Sequence, residues 1–412
     1  MENNFKCRYC SNSLNDIFVD LGVSPLSNSF LNENQLNIME PHYPLCVYIC
    51  TKCYLVQLPE FQKPKDIFSD YAYFSSFSKS WLKHAESYTN LMVERFGFNN
   101  NSQVIEIASN DGYLLRFFKE KDIPVLGIEP AENVAESARG NGIPTLVKFF
   151  GTRTAEELVE DGKSADLLAG NNVLAHVPDV NDFVKGLKII LKPKGVITME
   201  FPHLMCLIDE NQFDTIYHEH FSYFSFMVVK EIFENHGLNI FDVDEIPTHG
   251  GSLRIYACHS EDLSKSVSNR VRGLLDKETK LGFADLDYYL SFKEKVKLTK
   301  RNILSFMIDA KKCGKTMVGY GAPAKGNTLL NYCGIRSDFI DYTVDLNPHK
   351  QNHLLPGSRI PVYSVDKIKE TKPDYLIILP WNLKDEIVEQ MHFIRDWGGA
   401  FVVFIPEVKV IN

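Results

Sequence analysis

Several things are missing from this chain, and each absence closes off a class of function. No window approaches the roughly 18 consecutive apolar residues of a membrane span. The opening residues, Met-Glu-Asn-Asn-Phe-Lys-Cys, carry no apolar targeting core. There is no long basic run, and 44 Lys and Arg face 53 Asp and Glu, for a net charge of −9. That balance argues against bulk attraction to nucleic acid or an acidic membrane, although a local phosphate pocket stays open. Neither a Gly-x-Gly-x-x-Gly fingerprint nor a Gly-x-x-x-x-Gly-Lys-Ser/Thr phosphate loop occurs; Gly314-Lys315-Thr316 lacks the upstream glycine. The expectation is a cytoplasmic protein with no nucleic-acid or membrane partner, a monomer or weak homodimer, whose nine cysteines are thiols or metal ligands rather than disulfides.

What is present starts with length. At 412 residues, with 44% apolar and 24% charged residues, the chain is an ordinary globular composition too long for one core. The first segment holds Cys7-x-x-Cys10 and, after 39 residues, Cys50-x-x-Cys53. Two such knuckles supply the four thiolates of a tetrahedral zinc site. Four thiolates leave no open position for a substrate, so the metal is structural, holding a segment too small for a core of its own. Cys46 stands outside both knuckles and is the weaker ligand.

Next comes Tyr71-Ala-Tyr73-Phe-Ser-Ser-Phe77-Ser-Lys-Ser80-Trp81, followed by a helical stretch to about Phe96. So dense an aromatic and hydroxyl run suits either a lid over apolar surface or a loop closing on a polar ligand. Residues 103–117 then give an apolar strand with Glu106 in it, a small-residue turn through Ala108, Asn110 and Gly112, and an amphipathic helix. A second strand ends at Glu129, 17 residues after Gly112, near the spacing at which an acid reaches a ribose diol. Glu106 would repel a pyrophosphate and suits a cationic ligand such as the amino-acid part or sulfonium of S-adenosylmethionine. An ordinary βα turn is the plain alternative. Further strands end near Asn171-Asn172 and Glu200, and His176-Val-Pro178-Asp179 lies at the carboxyl edge where α/β sheets bind ligands.

Tyr217-His218-Glu219-His220-Phe221-Ser222-Tyr223 gathers two imidazoles, a carboxylate and two phenols into seven residues. Cores seldom tolerate such groups unpaired. The run reads as an acid–base site, a structural aromatic cluster, or a metal pair at His218 and His220. An extended chain would put Tyr217 and Glu219 on one face, whereas a helical turn would join Tyr217 to His220. Thr248-His249-Gly250-Gly251-Ser252-Leu-Arg254 implies a tight bend before a strand, and residues 265–312 have helical periodicity. A last strand–loop–helix unit runs through Gly321-Ala-Pro323-Ala-Lys325-Gly326-Asn327-Thr328. With Lys350 and Arg359 on a following loop, its helix N-terminus fits a diphosphate, or else these are solvated surface charges.

In their order, the paired cysteine knuckles, Glu106-Ile-Ala-Ser-Asn-Asp-Gly112, Asn172-Val-Leu-Ala-His176-Val-Pro-Asp, Tyr217-His-Glu-His220-Phe-Ser-Tyr-Phe, Thr-His-Gly-Gly-Ser-Leu-Arg and Gly321-Ala-Pro-Ala-Lys-Gly-Asn-Thr cover nearly the whole chain. The chain resembles the nucleotide-sugar C-methyltransferases, especially those acting at C-3 of nucleoside-diphosphate 4-keto-6-deoxyhexoses. The resemblance implies an α/β protein in three parts: a zinc domain (1–68), a Rossmann-like S-adenosylmethionine domain (69–300) and a second Rossmann-like, nucleotide-sugar-binding domain (301–412). It implies donor contacts from Ser80, Glu106, Ala108, Asn110, Gly112, Glu129 and Asn172. It implies catalytic roles for Tyr71, His176, Tyr217, Glu219 and His220, and substrate contacts from Tyr73, Tyr223, His249, Lys325, Asn327, Lys350 and Arg359.

Carbon methylation needs a carbanion equivalent, and a neighbouring ketone makes the proton removable as an enolate. His220 is the expected base, its ordinary pKa near 6.5 being well matched to neutral pH. His176 is a candidate donor to the enolate oxygen. Methylation of a sugar oxygen or nitrogen is the competing chemistry, and a non-catalytic zinc scaffold is the competing class.

Overall fold

The computed structural model describes residues 5–63 and 74–412, so Tyr71 and Tyr73 lie outside the described residues. The central layer is a seven-stranded sheet in the order Leu238–Ile246, Ser252–His259, Leu191–Pro202, Ala165–Asn171, Val104–Ile107, Val125–Ile128, Thr145–Leu146. Ser252–His259 runs antiparallel to both neighbours; the other pairings are parallel. Val104–Ile107 is buried throughout, as a central parallel strand covered on both faces must be. From it the chain crosses first to Val125–Ile128 on one side and later to Ala165–Asn171 on the other. That reversal opens a crevice at the strands' carboxyl ends.

A second sheet has the order Val362–Tyr363, Thr343–Val344, Met317–Tyr320, Tyr375–Ile378, Ala400–Val403, Lys409–Ile411, all parallel but the last. Its order reverses at Met317–Tyr320, so it too has a crevice at its carboxyl edge. Two helices, Asn269–Leu281 and Leu286–Lys312, connect the sheets. The second runs through residues 300 and 301, so no linker separates the chain there.

The N-terminal segment forms a sheet of Asp16–Ser24, Tyr43–Ile49 and Val56–Gln57, completed by Ser222–Tyr223 from the Tyr-His-Glu-His run. It does bury apolar surface, but in a shared core. Phe18, Val47 and Ile49 belong to one cluster with Phe292, Leu329 and Ile377, and Phe18 stacks on Phe292 at 4.8 Å. The first and last parts of the chain therefore close on each other beside the central sheet.

Candidate active site

The two crevices open into one cavity of about 980 Å³. That is at the top of the ~300–1,000 Å³ range of single-ligand sites and leaves room for two reactants. Ile107, Ala108, Asn110 and Glu129 line it from the central sheet, while Pro323, Lys325, Pro380 and Asn382 line it from the second.

The turn after Val104–Ile107 is shaped by backbone demands. Ala108 and Asn110 take left-handed conformations (φ 55° and 50°), and Asn172 does the same at the end of the neighbouring strand (φ 57°). Such strain at non-glycine residues gathers at ligand sites. Glu129 holds the turn, accepting from the Asn110 and Ala131 amides at 2.9 Å each. Asn110 in turn accepts from the Ser75 amide at 2.8 Å, which ties the start of the aromatic run to the floor. Ser80 and Asn172 are also on the wall. Gly112 and Glu106 are not; Gly112 (φ 79°) packs on Ile143, and Glu106 lies fully buried beneath the turn. Burial raises the Glu106 carboxyl well above the usual range, with Glu129, Asp111 and Glu200 adding to the effect and Tyr113 opposing it. Both side-chain polar atoms of Asn171 and the Asn172 Oδ1 are buried without partners, while Tyr113 is the hydrogen-bonding neighbour of the Glu106 carboxyl. A buried acid with no basic partner, near unsatisfied polar atoms of Asn171 and Asn172, fits a cationic, polar ligand such as S-adenosylmethionine.

The Tyr-His-Glu-His run forms a turn, with the His220 amide bonded to the Tyr217 carbonyl at 2.9 Å. Tyr217 and His220 therefore share a face, their rings 4.1 Å apart, and His176 packs edge-on to His220 at 4.7 Å. Tyr217, Glu219 and His176 line the cavity, whereas His220 sits one layer behind them. His220 Nδ1 donates to the Thr215 carbonyl at 2.9 Å, which leaves Nε2 with a free lone pair and no partner. Burial, with His176, His249 and Lys325 nearby, holds its pKa well below 6.5 rather than at it. His218 turns the other way, its Nε2 3.2 Å from the Pro44 carbonyl. Among the described residues, only the four cysteines group as metal ligands, so a metal pair at His218 and His220 finds no support.

The remaining expected substrate residues divide. His249 (φ 56°) and Lys350 line the cavity. Tyr223, Asn327 and Arg359 do not. Tyr223 is held in the strand that completes the N-terminal sheet, and Asn327 is buried with its amide donating to the Ser27 carbonyl at 2.7 Å. Arg359 donates to the Leu36 carbonyl at 2.9 Å, on the insertion between the knuckles. The sequence reading missed Asn28, which reaches from that insertion to donate to Glu219 Oε1 at 2.6 Å. No local pattern signals a contact across 191 residues. It also missed His84 and Trp381. His84 bonds Glu200 at 2.8 Å, on the opposite side from Arg254. Trp381 follows a strand's carboxyl end at the second crevice, a position that could have marked it.

The Sγ atoms of Cys7, Cys10, Cys50 and Cys53 lie within 4.8 Å of one another. Each knuckle closes the same way, with Ser11 and Tyr54 in left-handed conformations donating to the Cys7 and Cys50 carbonyls at 2.9 Å. Gln57 Nε2 approaches Cys7 Sγ at 3.1 Å. Four converging sulfurs with an amide donor fit a tetrahedral metal. Cys46 is not among them. Beside the cluster, Arg8 donates to the Pro178 carbonyl at 2.8 Å, just after His176.

Sequence comparisons match three stretches of the chain, the last of which begins within the central sheet rather than at residue 301. Residues 7–68 match a zinc binding domain family, residues 80–243 a methyltransferase domain family, and residues 247–406 the family described as C-methyltransferase C-terminal domain. The C-methyltransferase NovU of Streptomyces niveus is 34% identical over 407 residues, which is 99% of this chain and 97% of that protein. The chain belongs to the C-methyltransferase family. A ubiquinone biosynthesis O-methyltransferase of Bartonella tribocorum is 26% identical over only 24% of this chain and 40% of its own. Among solved structures, the PH0226 protein of Pyrococcus horikoshii overlaps 48% of this chain and 99% of its own at 16% identity, with a TM-score of 0.37. Magnesium protoporphyrin IX methyltransferase of Synechocystis with bound S-adenosylmethionine overlaps 43% of this chain and 79% of its own at 13% identity and a TM-score of 0.33.

Proposed function

We propose that this chain methylates C-3 of a nucleoside-diphosphate 4-keto-6-deoxyhexose through an enolate, in the making of a branched deoxysugar. The observation carrying this reading is the single cavity joining two α/β crevices, with Tyr217, Glu219 and His176 on its wall and an unpartnered imidazole nitrogen behind them. One crevice suits the methyl donor and the other a nucleotide sugar. Carbon rather than oxygen or nitrogen is the acceptor because the relative matching the whole chain is a C-methyltransferase.

The Ala108–Asn110 turn would help hold S-adenosylmethionine, which would supply an electrophilic methyl group. Glu106 would offset the donor's positive charge, Glu129 and Asn172 would take its hydroxyl and amino groups, and Ser80 would line its site. Tyr217 and Glu219 hold the hexose, with Asn28 fixing the Glu219 carboxylate. His220 Nε2 takes the C-3 proton, Tyr217 shifting as the sugar enters; catalytic hydrogen bonds often tighten only in the reactant complex. His176 steadies the wall, and its hydrogen bond to the Glu219 backbone joins the two segments. The four cysteines hold a structural zinc.

The test is incubation with methyl-labelled donor and a panel of thymidine, guanosine and cytidine diphosphate 4-keto-6-deoxyhexoses. One of them should acquire a labelled carbon at C-3; label on oxygen or nitrogen, or none with any sugar, overturns the reading. His220→Asn should abolish turnover and keep donor binding. Loss of turnover in Glu219→Gln alone, with His220→Asn active, would move the base to Glu219.

A further inference from the structure

The lysine of the second crevice is poorly placed for the phosphate-binding role that its glycine-rich surroundings imply. Lys325 stands in the first turn of the ten-residue helix Ala324–Cys333 and faces the cavity. Its Nζ donates to Asn382 Oδ1 at 2.9 Å and lies 4.3 Å from the centre of the Trp381 ring. An ammonium has three donors, so two remain for a ligand. The indole under it is fixed in turn, with Nε1 donating to Asp214 Oδ2 at 2.7 Å and Gly250 packed against its edge. Asp214 is fully buried, and its Oδ1 has no partner.

This is a part-buried cation held between an amide oxygen and an indole ring. Its charge is felt by His220 and His249 as well as by Asp214. It therefore belongs with the imidazoles where the proton is removed. A diphosphate placed there would bring permanent negative charge beside the buried Asp214. A single, transient oxyanion is far easier to accommodate. Lys350, whose Nζ bonds the Ala322 carbonyl at 2.8 Å in the loop before this helix, is the better placed phosphate neighbour.

We propose that Lys325 is a catalytic residue whose ammonium binds the acceptor's ketone oxygen and carries the negative charge of the enolate, a role resting on the ketosugar reading above. In that step the C-3–H bond breaks, the proton goes to the base, its electron pair forms C-3=C-4, and the carbonyl pair moves onto the oxygen beside Lys325. On methyl transfer the oxygen pair restores the ketone, the C-3=C-4 pair forms the new C–C bond, and the donor's sulfur–methyl bond breaks with its pair staying on sulfur, so that the donor leaves as a neutral thioether. Lys325 holds its protons throughout. Burial lowers its pKa to about 8 and Asp214 opposes that shift, so the ammonium is charged at neutral pH and is lost as pH climbs through about 8.

The experiment compares Lys325→Met with the wild type in two assays. The first is exchange of the C-3 proton into deuterated water without methyl donor. The second is calorimetric binding of free thymidine, guanosine or cytidine diphosphate. Exchange should fall roughly 10²-fold or more, the size of effect seen when a single oxyanion donor is removed. Nucleoside diphosphate affinity should change less than about twofold, and Lys325→Arg should restore part of the exchange. Weakened diphosphate binding with exchange intact at saturating sugar would make Lys325 a phosphate ligand and overturn the proposal.

Should Lys325→Met fail to fold, Asp214→Asn keeps the question open to test. Of the titratable groups facing Lys325, which are Asp214, His220 and His249, only Asp214 is charged near pH 8 and raises its pKa, so removing that charge should move the alkaline limb of the exchange rate to lower pH. An unmoved limb would exclude Lys325. Absence of exchange in the wild type with every sugar would instead overturn the ketosugar reading.

Discussion

Glu106 is a buried acid whose burial favours the protonated form, opposed by its hydrogen bond with Tyr113. A raised acid pKa is a stability cost that grows as pH rises above the unfolded value near 4.3. Glu106→Gln should therefore stabilise the ligand-free protein by an amount that increases from pH 6 to pH 9 in thermal melts. The same change should weaken donor binding about tenfold, as expected for loss of a charged partner; equal affinity would remove Glu106 from the donor site. His220 makes a second prediction. A base acts unprotonated, and its pKa is held well below 6.5, so the acid limb of kcat/KM should fall below pH 6.5. A limb above 6.5 would point to another group. The acid in the strand and the small-residue turn after it were legible in the sequence because they sit at fixed offsets. What was not legible is depth: nothing in Tyr217-His-Glu-His220 says that the middle carboxylate reaches the cavity while the last imidazole stops one ring short.

Elements were read more securely than their edges. The helix Lys79–Phe96 ends where the sequence reading put it, because Gly97 (φ 70°) supplies the left-handed stop, and Ser78 caps its start by accepting from the Trp81 amide. The helical stretch at 265–312 is two helices, since Gly282 (φ 101°) breaks it. The bend at Gly250-Gly251 is real, and its reason is Trp381. A Cβ on Gly250 would lie 2.4 Å from the indole, at a φ of 95° that L-residues avoid. Gly250→Ala should therefore displace the indole from Asp214 and cost about 1–3 kcal/mol of stability, measurable by denaturant unfolding. It should also lower turnover, because Lys325 rests on that ring. Wild-type stability and rate together would mean the loop absorbs the methyl group freely.

At the scale of the whole molecule, the expected separation into three successive parts hides how they interlock. Composition and spacing identify the knuckles and the two sheets. They carry no information on partners hundreds of residues apart, such as Asn28 with Glu219 or Ser27 with Asn327. The four-cysteine cluster is consequently wired to the cavity through Arg8 and Pro178. Stripping the metal with a strong chelator should lower the melting temperature and reduce methyl transfer together, with zinc restoring both. Activity unchanged at a metal content of zero would sever that connection. Cys46→Ala should keep one metal per chain by elemental analysis.

The pairing of Ser222–Tyr223 with Val56–Gln57 also sets a timetable. As the nascent chain leaves the ribosome, the N-terminal sheet appears first with its last edge bare. Its closing strand is still unmade for roughly 10–30 s at elongation speeds of ~5–20 residues per second. An open strand edge invites pairing with whatever lies near. Synthesis interrupted before residue 223 should yield an aggregation-prone fragment, and the cell's chaperones would meet this protein mainly during that interval.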